Sequence, residues 1–208
     1  MTRSSSMHRR RSLRLKGYNY AMAGAYFVTI CTQDRACLFG DMNAGAMDLN
    51  EAGQMVAALW SGIAVRFPGI EIDQFVVMPN HLHGILILPD SGVATNCRTT
   101  MTRATTRVAP TDSVVVGARL VGPPVRLGDV VGAFKSTATV GYISGVKAKG
   151  WPEFRGRLWQ RNYHEHVIRD QTGLDRVRRY IDDNPARWEF DNENPRKTQP
   201  SSQEPSGT

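Results

Sequence analysis

Two apolar, β-type runs separated by a turn signal constrain the fold more than any other feature of this sequence. The runs occupy Glu71–Met78 and His83–Leu88, and Pro79-Asn80 lies between them. Apolar runs of this length, bounded by residues that favour turns, are typical of neighbouring strands. The sequence therefore predicts a β-hairpin, around which the remaining segments must be arranged.

Five further segments complete an alternating order of strands and helices. They are a strand over 25–32, a helix over 50–67, a helix over about 129–146, a strand over 158–169 and a last helix that starts near residue 172. For the last helix, Thr172 and Asp175 predict a capping box, and Pro185 predicts its end. This order predicts an α+β fold: a ferredoxin-like or RRM-like antiparallel sheet with helices on one face and a further C-terminal helix.

The length and composition of the chain indicate one folded domain with extended ends. A chain of 208 residues with 41% hydrophobic residues is long enough for one core and too short for two ordinary ones. We expect a basic, disordered arm over 1–16, a domain over 17–188 and a polar, disordered tail over 189–208. Within the domain, residues 90–127 show no sustained helical period and predict a mobile insertion.

The net charge of the chain points to a polyanionic partner. It is +7 at pH 7, and much of the excess lies in the first sixteen residues, which contain no acid. Clustered cations gain affinity for nucleic acid by releasing counterions from its phosphates. Composition alone leaves two possibilities open for this segment: a DNA-binding arm that includes Arg11 and Arg14, or a merely solvated terminus.

The apolar residues and the cysteines predict where in the cell the protein lies and whether its thiols are reduced. No apolar run is long enough to cross a bilayer, and the first thirty residues lack the apolar middle of a secretory signal. The three cysteines form no CxxC pair, so they suggest neither a disulfide framework nor a zinc knuckle. We therefore expect a cytoplasmic protein with reduced thiols and no membrane partner.

The spacing of His81 and His83 provides a candidate metal site. Near the start of a strand, residues two apart point to the same face, whereas Leu82 between them faces the core. Two imidazoles on one face can hold one divalent ion, and a third ligand beside an open position would make that ion a Lewis acid. The alternative, which is commoner for this spacing alone, is a pair of exposed or hydrogen-bonded histidines on a sheet surface.

The last predicted helix offers a nucleophile and a third ligand. Tyr180 and Asn184 are four residues apart, so they are neighbours on one helical face. A tyrosine can act as a covalent nucleophile if its proton is removed, and an asparagine carbonyl can complete a metal site. From the residues alone, the alternative is favoured: Tyr180 is a rim residue and Asn184 is simply the end of the helix.

Basic and aromatic residues elsewhere are candidate DNA contacts. Ammonium and guanidinium groups position a phosphate backbone without reading bases. The candidates within the domain are Lys135, Arg155, Arg157 and Arg161. Ordinary solvated charge is the alternative for this set. Trp151, Trp159 and Trp188 could stack on unpaired bases, although core or rim packing is the commoner role of such tryptophans.

A second histidine pair occurs in the last predicted strand. His164 and His166 repeat the i, i+2 spacing, and Tyr163 precedes them. They could form a second metal pair with a spare nucleophile. Because no helix-borne partner is assigned to them, we favour the interpretation in which they line the strand or touch DNA.

Several segments together resemble one protein family. VVMPNHLHGILIL from Val76 resembles the HUH motif (histidine, hydrophobe, histidine) of single-tyrosine transposases, and RRYIDDNPARW from Arg178 resembles their nucleophile helix. RSLRLKGYNY from Arg11, GAYFVTICTQDRACLFG from Gly24 and LWQRNYHEHVIRD from Leu158 resemble the same group in order and spacing. The similarity is greatest to the REP-associated tyrosine transposases, which are related to the IS200-like insertion sequences. It covers residues 11–188, and only the stretch over 91–126 is longer and more Thr-rich than expected.

The resemblance implies a function and a role for each site residue. His81, His83 and Asn184 would hold a divalent ion, Mg²⁺ or Mn²⁺, and the last helix would be the nucleophile helix. Tyr180 would attack the scissile phosphate, leaving a 5′-phosphotyrosine and a free 3′-hydroxyl. The substrate would be single-stranded or hairpin DNA formed by palindromic repeats. A monomer and a homodimer both remain possible.

Two other classes of function compete with this DNA-nicking enzyme. A catalytically silent DNA-binding regulator would use the same fold and basic surface, but the intact set of His81, His83, Tyr180 and Asn184 argues against it. An RNA-binding module is suggested by the sheet topology. The central strands lack the aromatic-rich signature expected for base stacking on such a sheet, which disfavours this possibility.

Overall fold

The computed structural model describes residues 23–89 and 125–197. Its strands are β1 (Gly24–Cys31), β2 (Gly40–Asn43), β3 (Ala46–Leu49), β4 (Glu71–Met78), β5 (His81–Leu88) and β6 (His164–Ile168). Its helices are α1 (Glu51–Ser61), α2 (Ile63–Arg66), α3 (Leu127–Lys149) and α4 (Gln171–Asp183), with 3-10 helices at Gln33–Arg35 and Pro185–Phe190. The predictions for the arm at 1–16, for 90–124 of the insertion and for 198–208 of the tail lie outside the described residues.

Four strands form one antiparallel sheet in the order β4-β5-β1-β6. Strand β5 pairs with β4 on one side and with β1 on the other, and β1 also pairs with β6. Together with α1 and α3 these strands give the ferredoxin-like arrangement, so the predicted α+β fold class is confirmed. The predicted hairpin is confirmed as well, although its second strand begins two residues earlier than expected, at His81.

The two faces of the sheet are covered by different helices. On one face, α1 and α3 form the main core, which contains Val28, Leu82 and Trp60. On the other face, α4 packs through Ile181 against Ile85. Because side chains alternate along a strand, β5 contributes to both layers. The predicted one-sided layer therefore consists of α1 and α3, and the C-terminal helix α4 lies on the opposite face.

The N-terminus of α4 is capped differently from the prediction. Asp170 is the N-cap, and its side chain accepts a hydrogen bond from the backbone amide of Gly173 at 2.7 Å. The Asp175 carboxylate accepts from the side-chain amide of Gln171 instead. The predicted capping box of Thr172 and Asp175 is therefore wrong, because an earlier aspartate satisfies the free amides of the first turn.

Two predicted helices have different bounds in the structure. The segment over 50–67 is interrupted at Gly62, which separates α1 from α2, and glycine is among the weakest helix formers. The segment over 129–146 extends in both directions as α3, which ends at Gly150 in the left-handed conformation. None of the helices in the described residues is long and apolar enough to cross a membrane.

The strand predictions also needed correction at two places. The predicted strand over 158–169 is paired only along β6, and residues before it touch the sheet through one bridge between Thr32 and Trp159. The hairpin of β2 and β3 was not anticipated. Its turn places Ala44 and Gly45 at φ 48° and 79°, and positive values at both positions suit a tight hairpin. The alanine at the first position hides this turn in the sequence.

Helix α4 is fixed to the sheet by polar contacts as well as by Ile181. Arg178 forms an ion pair with Asp73 of β4, with a shortest N–O distance of 2.6 Å. The side chain of Gln74 donates to the carboxylate of Asp182. Both contacts join α4 to the edge strand β4, so they set the rotation of the helix about its axis and the direction in which its remaining side chains point.

One close approach fixes the register of β5 under helix α1. The indole of Trp60 packs directly over Gly84, and a Cβ placed on Gly84 would meet the indole at 2.5 Å. Any larger residue at this position must displace a fully buried tryptophan. The residue before it, His83, points to the opposite face of the sheet.

We expect Gly84→Ala to lower the free energy of unfolding by about 1–3 kcal/mol, because the added methyl overpacks the core against Trp60. The measurement is urea unfolding followed by tryptophan fluorescence. Gly132→Ala in α3 is the matched control, since its added Cβ has no atom of the described residues within 4 Å beyond its chain neighbours and the backbone of its own helix. The control should be neutral or stabilising by up to about 1 kcal/mol. Equal effects of the two substitutions would contradict the proposed close approach.

Candidate active site

The two histidines of β5 lie side by side on the face covered by α4. His81 and His83 are buried, and their Nε2 atoms are 3.0 Å apart. Leu82 between them points into the main core, as the strand alternation predicts. The structure therefore brings the two imidazoles to one point at the end of the sheet.

Each imidazole is oriented by a hydrogen bond at its other nitrogen. His81 Nδ1 lies 2.8 Å from the side-chain oxygen of Asn80, and His83 Nδ1 lies 2.8 Å from the hydroxyl of Thr29. Asn80 is fully buried and donates to the backbone carbonyl of Glu193 at 2.7 Å. These partners direct both Nε2 atoms into the same space, as the outer partners of metal-binding histidines commonly do.

The burial of the pair keeps both imidazoles neutral. Desolvation lowers the pKa of His81 to about 3 and that of His83 to about 3. Neutral imidazole has a free nitrogen lone pair, which is the form that binds a metal. The asparagine oxygen only accepts hydrogen bonds, so His81 carries its proton on Nδ1 and presents its lone pair at Nε2.

A carboxylate from the segment after α4 joins the pair. Asp191 Oδ2 is 3.8 Å from His81 Nε2, and one ligand atom from each of His81, His83 and Asp191 lies within 4.8 Å of the others. The second carboxylate oxygen of Asp191 accepts from the backbone amide of Glu193 at 2.7 Å. The sequence predicts a disordered tail from residue 189, whereas Asp191 and Glu193 of this segment lie at the site in the structure.

Tyr180 and Asn184 reach the same point from α4. Tyr180 Oη lies 3.4 Å from His83 Nε2, and the side chain is 44% exposed. Asn184 is buried, and its amide nitrogen donates to Asp191 Oδ2 at 3.2 Å. Its amide oxygen is buried without a hydrogen-bond partner in the described part of the chain. A buried, unsatisfied carbonyl oxygen beside a carboxylate and two imidazoles is the donor that a cation would satisfy.

Opposing charges act on the candidate nucleophile. Burial and the carboxylate of Asp191 raise the pKa of the Tyr180 phenol, while the hydrogen bond with Asn184 and the charge of Arg187 act in the opposite direction. The net pKa is raised, so the phenol is protonated at neutral pH. A cation near Oη would favour the phenolate that a nucleophilic role requires.

These side chains line a pocket of about 390 Å³ that is open to solvent. Its lining includes Thr29, His83, His164, Tyr180, Asn184, Arg187, Phe190, Asp191 and Glu193. The pocket therefore combines neutral imidazole, two carboxylates, one guanidinium and two aromatic rings. A site with this mixture can hold a cation and an anionic ligand together.

The predicted phosphate contacts lie outside this pocket. Arg155, Arg157 and Arg161 are exposed on the segment before β6, at the end of the sheet that carries the histidine pair. Lys135 is half-buried in α3, and its ammonium donates to the backbone carbonyls of Gln160 and Asn162, each at 3.0 Å. The two candidates in the arm, Arg11 and Arg14, lie outside the described residues.

The second histidine pair faces the site without forming a metal cluster with it. His164 and His166 are exposed on the edge strand β6, and His164 lines the pocket. Tyr163 packs against the main core and lies under the ammonium of Lys135. The favoured interpretation, in which these residues line the strand or touch DNA, stays a prediction.

The tryptophans proposed for base stacking are mostly structural. Trp159 is buried in the core, and Trp151 packs against Tyr142. Trp188 lies beside His81, with ring centroids 5.9 Å apart. Phe190 lines the pocket and is 75% exposed, against 44% for Tyr180, and the sequence analysis did not select it.

Sequence reasoning missed the residues that follow Trp188. Asp191 and Glu193 lie in a polar, Pro-containing segment, and such composition favours disorder. Asn184-Pro185 and the later Trp188 are signals that could have indicated otherwise, because they start a 3-10 helix whose tryptophan anchors on His81. Thr29 could have been found by applying the strand alternation to β1 as well as to β5.

The fold and the site together define an α+β protein whose ferredoxin-like sheet carries a His-His-Asp cluster beside a half-exposed tyrosine. No protein-family model matches the chain. It is 36% identical over 191 residues to an uncharacterized protein of Haemophilus influenzae, covering 90% of this chain and 94% of that protein. The chain therefore belongs to the same family as the Haemophilus protein.

Two solved structures are similar to the chain. One is a REP-associated tyrosine transposase bound to a REP hairpin, with a TM-score of 0.49 and 19% sequence identity over 82% of this chain and 72% of that one. The other is the crystal structure of a proposed transposase from Deinococcus radiodurans R1, with a TM-score of 0.43 and 19% identity over 81% of this chain and 95% of that one.

We expect Lys135→Met to lower the free energy of unfolding by about 1–3 kcal/mol, because the backbone carbonyls of Gln160 and Asn162 lose a charged donor. The same substitution should speed amide hydrogen exchange in residues 160–163. Lys147→Met, at an exposed position of the same helix, is the matched control and should leave both quantities unchanged. If Lys135→Met instead weakens DNA binding with no change in stability, this lysine is a phosphate contact, as the sequence analysis predicts.

Proposed function

We propose that this protein is a metal-dependent endonuclease and strand transferase that acts on single-stranded DNA through a tyrosine nucleophile. One observation carries the proposal: Tyr180 Oη lies 3.4 Å from His83 Nε2, and His81 Nε2 lies 3.0 Å from the same atom. A phenol so close to two neutral imidazoles, with Asp191 completing the cluster, supports metal-assisted attack on a phosphate.

The donor set fits a divalent cation. His81, His83 and Asp191 supply two nitrogens and a carboxylate, and the unsatisfied amide oxygen of Asn184 supplies a fourth donor. Mixed nitrogen and oxygen ligands suit several divalent ions, and Mg²⁺ or Mn²⁺ follows from the family resemblance. When bound, the ion would act as a Lewis acid that stabilises negative charge on the phosphoryl oxygens.

Cleavage by Tyr180 would form one bond to phosphorus and break another. Tyr180 Oη gives up its proton and attacks the phosphorus, forming a new P–O bond while the bond to the 3′-oxygen breaks. The 3′-oxygen takes up a proton, so the products are a 5′-phosphotyrosine and a free 3′-hydroxyl. Attack by that hydroxyl, or by another 3′-hydroxyl, on the phosphotyrosine reverses the step and joins strands. One tyrosine therefore suffices for cutting and rejoining.

The substrate class is proposed from the sequence resemblance and the charge of the chain. REP-associated tyrosine transposases are similar to this chain from Arg11 to Trp188, and members of that group are thought to cut near hairpins formed by palindromic repeats. The net charge of +7 supports a polyanionic substrate. Arg155, Arg157 and Arg161 are exposed at the end of the sheet that carries the site, where a hairpin stem could lie against them.

We expect Tyr180→Phe to retain DNA binding and to lose the covalent adduct completely, because only the attacking oxygen is removed. The assay uses hairpin-forming single strands with Mn²⁺ and denaturing gels. A 3′-labelled strand should migrate with the wild-type protein, whereas a 5′-labelled strand should be released as a shorter fragment. Tyr163→Phe is the matched control and should still form the adduct.

The same assay separates the enzyme from a silent regulator. Binding without a nick, over a panel of hairpins and with both Mg²⁺ and Mn²⁺, would favour the regulator. An adduct that persists in Tyr180→Phe and disappears in Tyr163→Phe would identify Tyr163 as the nucleophile and refute the assignment made here.

We expect Thr29→Val to weaken Mn²⁺ binding by about 10- to 100-fold, because the hydroxyl that orients His83 is lost. In the absence of metal, His83 Nε2 can donate to His81 Nε2. A metal at both atoms requires the His83 proton to move to Nδ1, where the Thr29 oxygen can accept it. Isothermal titration calorimetry with Mn²⁺ measures the affinity. Thr139→Val in α3, far from the site, is the control, and an equal loss in both variants would contradict this role.

A further inference from the structure

Three side chains form a stripe along one wall of the pocket. Asn184, Arg187 and Phe190 are spaced three residues apart at and within the 3-10 helix Pro185–Phe190. A 3-10 helix has three residues per turn, so side chains at this spacing lie above one another. All three line the pocket beside Tyr180. The stripe presents an amide, a guanidinium and an aromatic ring in sequence, starting from the candidate metal site.

The ring at the end of the stripe is unusually exposed. Phe190 is 75% exposed, whereas Trp188 two residues earlier is half-buried against His81. A phenylalanine contributes nothing to the core from such a position, and its neighbours in the pocket are mostly polar. A flat apolar surface in water beside a phosphate-cleaving site suits the face of an unpaired base.

The guanidinium of the stripe is available for an anion. Arg187 is exposed, and it has no ion pair or side-chain hydrogen bond in the described residues. Burial raises the pKa of the Tyr180 phenol, and the positive charge of Arg187 acts against that increase. The nearby acids already have partners, since Glu193 pairs with Arg35 at 3.0 Å and Asp191 accepts from Asn184.

We propose that this stripe is a subsite for one unpaired nucleotide, in which Arg187 binds a non-bridging oxygen of the scissile phosphate and Phe190 stacks on the adjoining base. The inference rests on the proposed function and specifies how the substrate is held. A base within a duplex is covered on both faces by its neighbours, so it cannot lie flat on Phe190. The subsite thereby gives a structural reason for a single-stranded substrate at the point of cleavage.

The volume of the pocket limits the size of the ligand that this subsite can hold. It is about 390 Å³ and open, which suits one nucleotide unit rather than a double helix. Arg187 follows Asn184 by one turn, so the guanidinium lies next to the candidate metal ligand along the wall. A phosphate between the two would be contacted from both sides while its base extends toward Phe190.

The test measures binding of fluorescein-labelled dT12 by anisotropy, with Mn²⁺, in a Tyr180→Phe background that cannot form an adduct. We expect Phe190→Ala to weaken binding about tenfold and Phe190→Trp to restore it, because stacking tolerates any flat ring. We expect Arg187→Ala to weaken binding about tenfold and to reduce the slope of log affinity against log salt by about one phosphate contact. Arg187→Lys should restore the slope.

Two matched controls separate the subsite from general effects. Arg179→Ala removes an exposed arginine from α4 outside the pocket, and Val140→Ala removes an exposed apolar side chain from α3. In both control variants, the affinity for dT12 should stay within twofold of that of the parent protein. Duplex dA12·dT12 should bind equally to all variants at Phe190. A loss of less than twofold in Phe190→Ala, an equal loss for the duplex, or no dT12 binding by the parent protein would overturn the proposal.

The outcomes also distinguish this inference from the proposed function. If the wild-type protein forms the covalent adduct but Phe190→Ala and Arg187→Ala bind dT12 normally, the subsite is wrong and the nuclease stands. If the substitutions selectively weaken single-strand binding but no hairpin is ever cut, the subsite stands as a binding site and the nuclease assignment fails.

Discussion

The packing of the Trp60 indole on Gly84 is the contact on which the rest of the structure depends. It fixes the register of β5, because no residue with a side chain fits beneath the indole. The neighbouring His83 and its partner His81 consequently point to the other face, where α4 covers them. A slip of one residue would move both imidazoles into the main apolar core and place Leu82 among the polar groups of the face that α4 covers. The position of the site is thus determined by a hydrophobic contact on the opposite side of the sheet.

The electrostatics of the pocket complement this arrangement. The two histidines are neutral and Glu193 pairs with Arg35, so the charge beside the histidines is that of Asp191. A phosphate at the histidines would be repelled by this carboxylate, and the attraction of Arg187 opposes that repulsion. A divalent cation at the histidines would reverse the sign of the site. In the proposed enzyme, cation binding and DNA binding are therefore coupled, with each favouring the other.

The sequence was most informative where a strand or helix period was regular. The fold class, the hairpin of β4 and β5, and the alternation around Leu82 could all be predicted, because apolar residues must face a core at fixed intervals. Prediction failed where local geometry had no periodic signal. Examples are the turn at Ala44-Gly45, the cap at Asp170 and the irregular segment before β6. Asp191 was missed for a related reason: it lies in a polar segment that is held in place by contacts with residues distant in sequence, and composition does not encode such contacts.

The candidate site is assembled from parts that are far apart along the chain, and this has a consequence for biosynthesis. Thr29, His81 and His83 precede Tyr180, Arg187 and Asp191 in the sequence, so the ribosome makes them first. A chain translated only as far as β5 contains the histidine pair but lacks the nucleophile that we propose. In the proposed enzyme, cleavage would therefore have to wait until helix α4 has been translated.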